Sequence, residues 1–107
     1  MSASAASAVE APPTVLACED VGAFSGRWLV SGEPLARVVV TGPVSALAAA
    51  GDRGFTTVCA PPAPRVVCVE QSVAGLSIGD VVTLEGVVAS TDGAELILDP
   101  CGAILRE

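Results

Sequence analysis

Two apolar runs of strand length, VVTLEGVVAS (81–90) and AELILDPCGAIL (94–105), flank the short segment Thr91-Asp92-Gly93. In the first run Val82, Leu84 and Val88 share one face while Thr83 and Glu85 take the other, the period of two that marks a half-buried strand. In the second, Leu96 and Leu98 point to one side. The Asp-Gly pair between the runs predicts a hairpin. Gly86 stands in the middle of its run, where a strongly coiled strand needs a residue without a side chain. An isolated hairpin is marginal in water, so the rest of the chain must supply the sheet that closes on this one.

Upstream, PLARVVVTGPVSALAAAG (34–51) reads as a long first strand with Ala36, Val38 and Val40 facing one way and Arg37 and Thr41 the other. Gly42-Pro43 interrupts it, and because proline donates no ladder hydrogen bond this marks a bulge or sharp bend. The tail SALAAAG has the propensity of a helical turn. GDRG (51–54) is a turn, FTTVCA (55–60) a second strand, PPAP (61–64) a connection and RVVCVE (65–70) a third strand, hairpin-paired to the second. In QSVAGLSIGD (71–80), Val73, Leu76 and Ile78 form an apolar plug. Residues 15–34 are an irregular lead-in, in which CEDVGAF makes one helical turn with Glu19 and Asp20 at its favourable N-terminal end. Phe24 and Trp28 cover one end of the core. Residues 1–14, small and proline-bearing, read as a disordered tail before a single domain over 15–107.

With 107 residues the chain holds one small domain. Hydrophobic residues make up 51% but aromatics only 3%, so the core is built from Val, Leu, Ile and Ala, and the abundance of Val favours strands. Five short strands from so few residues must close on themselves to remove exposed edges. The expected fold is all-β: a five-stranded OB-fold Greek-key barrel with a short helical plug between strands three and four. An SH3-like barrel or an incomplete sandwich is the alternative.

The cysteines, Cys18, Cys59, Cys68 and Cys101, contain no C-x-x-C pair, and the chain has no His. No metal site and no cofactor are expected. Buried free thiols acting as small hydrophobes are favoured, with a Cys59–Cys68 cross-strand disulfide as the competitor in an oxidising compartment. MSASAASAVEAPPT lacks the positive start and the apolar run of about 7–15 residues of a signal peptide. No stretch approaches the roughly 18 apolar residues of a membrane span, so no membrane association is expected.

GEPLARVVVTGPVSAL (32–47) resembles the opening strand of small OB-fold proteins, an apolar run ending in V-x-G-x-V. RVVCVEQSVAGLSIGDVVTLEGVVASTDGAELILDPC (65–101) resembles their second half, including the pattern (I/V)-G-(D/S)-x-V-x-(L/V)-x-G-x-V at Ile78–Val88. The resemblance spans residues 33–105 and has two branches. One is the smallest subunit of single-stranded-DNA complexes, the third subunit of replication protein A and its counterpart in the telomere-capping CST complex. It implies a nuclear or otherwise intracellular structural subunit beside a larger OB-fold partner. Such subunits usually carry a helix after the barrel, whereas this chain ends in AILRE. The other branch is a set of small bacterial OB domains similar to the tRNA-anticodon-binding type. Several of these are envelope proteins with cysteines near the positions of Cys68 and Cys101, which implies the periplasm.

The net charge is −7 and the pI near 4.2, an unfavourable balance for a protein that grips phosphates by itself. An OB groove that binds single strands uses stacking aromatics, each worth roughly 1–3 kcal/mol per base, plus a basic track. Phe55 is the only aromatic on strands two and three, and Arg53 and Arg65 are the basic residues near the groove, so only weak or indirect nucleic-acid contact is expected. Trp28, Val39, Val87 and Ile97 are instead candidates for a protein interface. Without His or a compelling carboxylate pair, no catalytic residue is expected, and Asp92 and Asp99 read as turn residues. The expectation is a non-catalytic subunit with an assembly role in a single-stranded nucleic-acid-binding complex, the alternative being a bacterial envelope OB domain, possibly disulfide-stabilised.

Overall fold

The computed structural model describes residues 12–31, 36–70 and 75–106. Strand β1 (Thr14–Ala17) leads through a 3-10 turn (Cys18–Asp20) into helix α1 (Val21–Ser31). Strands β2 (Arg37–Ala50), β3 (Arg53–Val58), β4 (Arg65–Glu70), β5 (Val81–Thr91) and β6 (Glu95–Arg106) follow. They join in the order β1-β2-β3-β4-β6-β5, and a further β2–β5 pairing closes β2 to β6 into a five-stranded barrel. All contacts within it are antiparallel except β4 with β6. The closed barrel and both predicted hairpins are therefore present.

The core follows the alternation of the strands. Val38, Val40, Val58, Val66, Val82, Leu84, Leu96 and Leu98 are wholly buried. Phe24 joins them from α1, and Trp28 packs against the same cluster. At Gly42-Pro43 strand β2 bends as expected: its ladder with β5 ends there and the register with β3 slips between Val44 and Ala46. The Pro43 carbonyl accepts from Cys59 N–H at 3.2 Å, and Val44 exchanges backbone hydrogen bonds with Asp80 and Gly79.

Five expectations are corrected, the cysteines among them. Among the described residues the helix lies between β1 and β2, where one was expected between the third and fourth strands of the barrel. Of the expected plug, Val73 falls outside the described residues, Leu76 packs on the core and Ile78 is exposed. The lead-in is ordered as a strand and a three-turn helix. There Asp20 Oδ2 accepts from Ala17 N–H at 3.0 Å, satisfying a donor at the start of the turn, and β1 runs parallel to β2 from Thr14↔Val38 to Ala17↔Thr41. SALAAA is the end of β2, paired to β3, because ladder hydrogen bonds override a weak helical propensity.

The cysteines are neither free nor paired across the hairpin. The disulfides are Cys18–Cys59 and Cys68–Cys101. In the β3–β4 register Thr56 is the residue opposite Cys68, so Cys59 lies three positions away, beyond the end of β3. Each disulfide stands beside a strand glycine. A Cβ on Gly42 would lie 2.6 Å from Cys18 Sγ, and one on Gly86 would lie 2.9 Å from the Cβ atoms of Cys101 and Leu98. Both approaches are shorter than carbon permits, which explains the two glycines inside strands.

The β5–β6 hairpin turn is built by Asp92. Its Oδ1 accepts from Ala94 N–H and Glu95 N–H, each at 2.9 Å, and Gly93 takes φ 92°. The Ala94 bond, then the Glu95 bond, holds the Asp92 carboxyl below its ordinary value of 3.8. A carboxylate depressed by folding stabilises above its unfolded pKa, and that contribution is lost as the pH falls through the folded value. Asp92→Ala is thus expected to be less stable than wild type near neutrality and to converge on it in strong acid. Denaturant melts at both pH extremes check this; a constant difference would assign the effect to something other than the charge.

Candidate interaction face

In β3 the even positions Gly54, Thr56 and Val58 are buried, which turns Arg53, Phe55 and Thr57 outward. The ladder sets Phe55 opposite Val69 and Thr57 opposite Val67. Because β6 joins β4 in parallel register, Ile97 falls opposite Val67 and Glu95 opposite Arg65. One outer face of the barrel therefore carries half-buried Phe55, Val67 and Ile97 at its centre, with Val69 already buried beside Phe55.

The ends of this face are closed by ion pairs. Arg53 Nη1 lies 3.4 Å from Asp99 Oδ2, and Arg65 Nη2 lies 3.4 Å from Glu95 Oε2. Both pairs are largely exposed and are worth about 0–1 kcal/mol at most. Their consequence is electrostatic: each guanidinium already has a carboxylate at contact. At the Arg53 end a hollow of about 290 Å³ is lined by Asp52, Arg53, Glu70, Asp99, Pro100 and Cys101, with Val69 completing it. Glu70 is held there by Thr56, whose Oγ1 donates to Glu70 Oε2 at 2.7 Å. Three carboxylates against one arginine make this hollow hostile to a phosphate.

The residues singled out in the sequence fall into three places. Arg53, Phe55, Arg65 and Ile97 share this face. Val39 and Val87 lie on the outer side of β2 and β5, next to the Arg37 Nη2–Glu85 Oε2 ion pair at 2.6 Å. Trp28 is half-buried on α1 against the core. Val67, Glu95 and Asp99 complete the face but were absent from the sequence-based candidates; Asp99, expected at a turn, lies inside β6. The alternation of RVVCVE carried a signal for Val67, since it opposes the buried Val66 and Cys68. Among the described residues, no group of three or more His, Cys, Asp or Glu is arranged to hold a metal ion.

No family model matches the chain, and no curated protein matches it. Among solved structures, the crystal structure of the S. pombe Stn1-ten1 complex is similar, with a TM-score of 0.46 and 24% identity. The match covers 71% of this chain and 62% of that one, so it spans less than two thirds of the matched chain. At that identity and score it carries neither residues nor partners over to this protein.

Proposed function

We propose that this chain is a non-catalytic OB-type barrel that binds another protein through the outer face of β3, β4 and β6. The observation that carries this is the composition of that face: a half-buried strip of Phe55, Val67 and Ile97 whose two flanking arginines are already neutralised. A protein interface has such an apolar centre depleted of charge and a polar rim. A single-strand groove needs free cations and a run of stacking aromatics, and this face offers one ring. Direct contact with nucleic acid is weak at most.

The two disulfides favour an oxidising compartment, since thiols are kept reduced in the cytosol and nucleus. They support the envelope branch of the resemblance, with a periplasmic partner, over a nuclear subunit beside a larger OB-fold protein. Among the described residues no helix is long and apolar enough to cross a membrane.

The test compares Val67→Asp with Val39→Asp, thermal melts first confirming that each variant is folded. Affinity for a partner recovered from the native source is expected to fall more than about tenfold in V67D, on the order of 1.4 kcal/mol, and to be unchanged in V39D. Equal loss in both would overturn the assignment to this face. Micromolar or tighter binding of a labelled single-stranded oligonucleotide at physiological salt, measured by anisotropy, would overturn the assignment to a protein partner. Alkylation of the untreated native protein decides the compartment, with freely reacting cysteines counting against the envelope branch.

A further inference from the structure

We infer that Cys18–Cys59 is a thiol–disulfide exchange site, opened by a dithiol reductant that attacks at Cys18, whereas Cys68–Cys101 is a permanent staple. The two bonds differ in what they tie. Cys68 is fully buried inside the barrel, and Cys101 lies in β6, hydrogen-bonded along β5 with Gly86 directly opposite. Cys101 is half-buried and borders the hollow at the Arg53 end, but it is fixed in a long strand paired on both sides, to β4 and to β5. Cys18 instead follows β1, a strand held by a four-residue ladder to β2 alone among the described residues. Its half-buried side chain borders an open hollow of about 410 Å³ lined by Glu19, Gly22, Pro62, Ala63 and Pro64. Short peripheral elements open at lower free energy than core strands, which gives an incoming thiolate access to Cys18 Sγ.

Cys59 adds a second asymmetry. It is 1% exposed and takes φ 74°, the one positive φ at a non-glycine residue among those described. This is a conformation that side chains with a Cβ adopt at a cost. Breaking the tie to Cys18 lets that backbone relax, which offsets part of the cost of releasing a buried thiolate at Cys59.

The exchange balances. A thiolate of the dithiol attacks Cys18 Sγ and forms a mixed disulfide, while the Cys18–Cys59 bond breaks and its electron pair leaves on Cys59 Sγ, which is then protonated by water. The second thiolate of the reductant attacks its own sulfur in the mixed disulfide and releases Cys18. The protein gains two electrons and the dithiol becomes a disulfide. Among the described residues, the N-terminal strand and helix are then held by the β1–β2 ladder, by burial of Leu16, Val21, Phe24 and Ser25, and by Trp28 against the core.

The experiment exposes the oxidised native protein to limiting dithiothreitol, quenches aliquots with iodoacetamide, and maps labelled cysteines by peptide mass spectrometry. Cys18 and Cys59 are expected to be labelled about tenfold faster than Cys68 and Cys101, or more. With reduced glutathione in place of the dithiol, the adduct is expected on Cys18. Equal rates, earlier opening of Cys68–Cys101, or an adduct on Cys59 would each overturn the inference. Hydrogen exchange on the partly reduced protein is expected to rise in residues 14–31 and not in β3 to β6; a rise throughout the barrel would show that the bond is structural. None of these outcomes depends on which partner the outer face binds.

Discussion

The variant in which Cys68 and Cys101 are both alanine is expected to lose about 2–5 kcal/mol of stability. The bond joins positions 33 residues apart in sequence, so its removal restores loop freedom to the unfolded chain. Little native structure is lost at first, because β4 and β6 remain paired through Val66↔Leu96 and Cys68↔Leu98. The loss is nevertheless large against the roughly 5–15 kcal/mol total of a small domain. At about 4–8 °C per kcal/mol for this size, thermal melts of the oxidised protein and the variant separate the two states easily. A midpoint unchanged to within about 2 °C would show that the bond adds nothing to the closed barrel.

Leu84→Ala carries the second large effect. Leu84 is fully buried in β5, opposite Val40 on one side and Ala103 on the other. Truncation removes its transfer free energy and leaves a cavity, together about 2–5 kcal/mol. The upper part of that range is expected, because Phe24 is the one aromatic among the buried core residues and short Val side chains reach poorly into a void. Leu29→Ala, on the half-exposed end of α1, is expected to stay within about 0.5 kcal/mol. Urea melts with an unchanged slope and a shifted midpoint give both values. A cost below about 1 kcal/mol at Leu84 would mean the barrel collapses onto the vacated space.

The barrel was legible where the signal was local. The alternation in β2 and β5, the Asp-Gly turn and the Gly42-Pro43 break each depend on residues within a few positions. α1 was legible only as a first turn, because VGAFSGRWLVS holds two glycines and β-branched valines and draws its stability from Val21 and Phe24 in the core. β1 is four residues long after a Pro-Pro pair, and its parallel partner lies more than twenty residues on. The disulfides were illegible for the same reason. Cys59 and Cys68 are neighbours along the chain, yet the register separates them. Of the outer face, Phe55 and Ile97 were found, but the carboxylates that neutralise Arg53 and Arg65 come from β6, which reaches them through the non-local closure of the sheet.

The two glycines set against the disulfides have a consequence for how this sequence can change. Gly42 and Cys18–Cys59 occupy one volume, and so do Gly86 and the β6 segment that holds Cys101. A side chain at Gly42 has no room while the sulfurs are in place, and a chain that gives up Cys18–Cys59 no longer needs that glycine. Gly86, by contrast, faces the Leu98 and Cys101 Cβ atoms and the Pro100 carbonyl with or without a disulfide. Cys18, Cys59 and Gly42 therefore form a single unit of substitution. Drift at any one member first passes through a less stable intermediate, which couples positions as far apart as 18, 42 and 59.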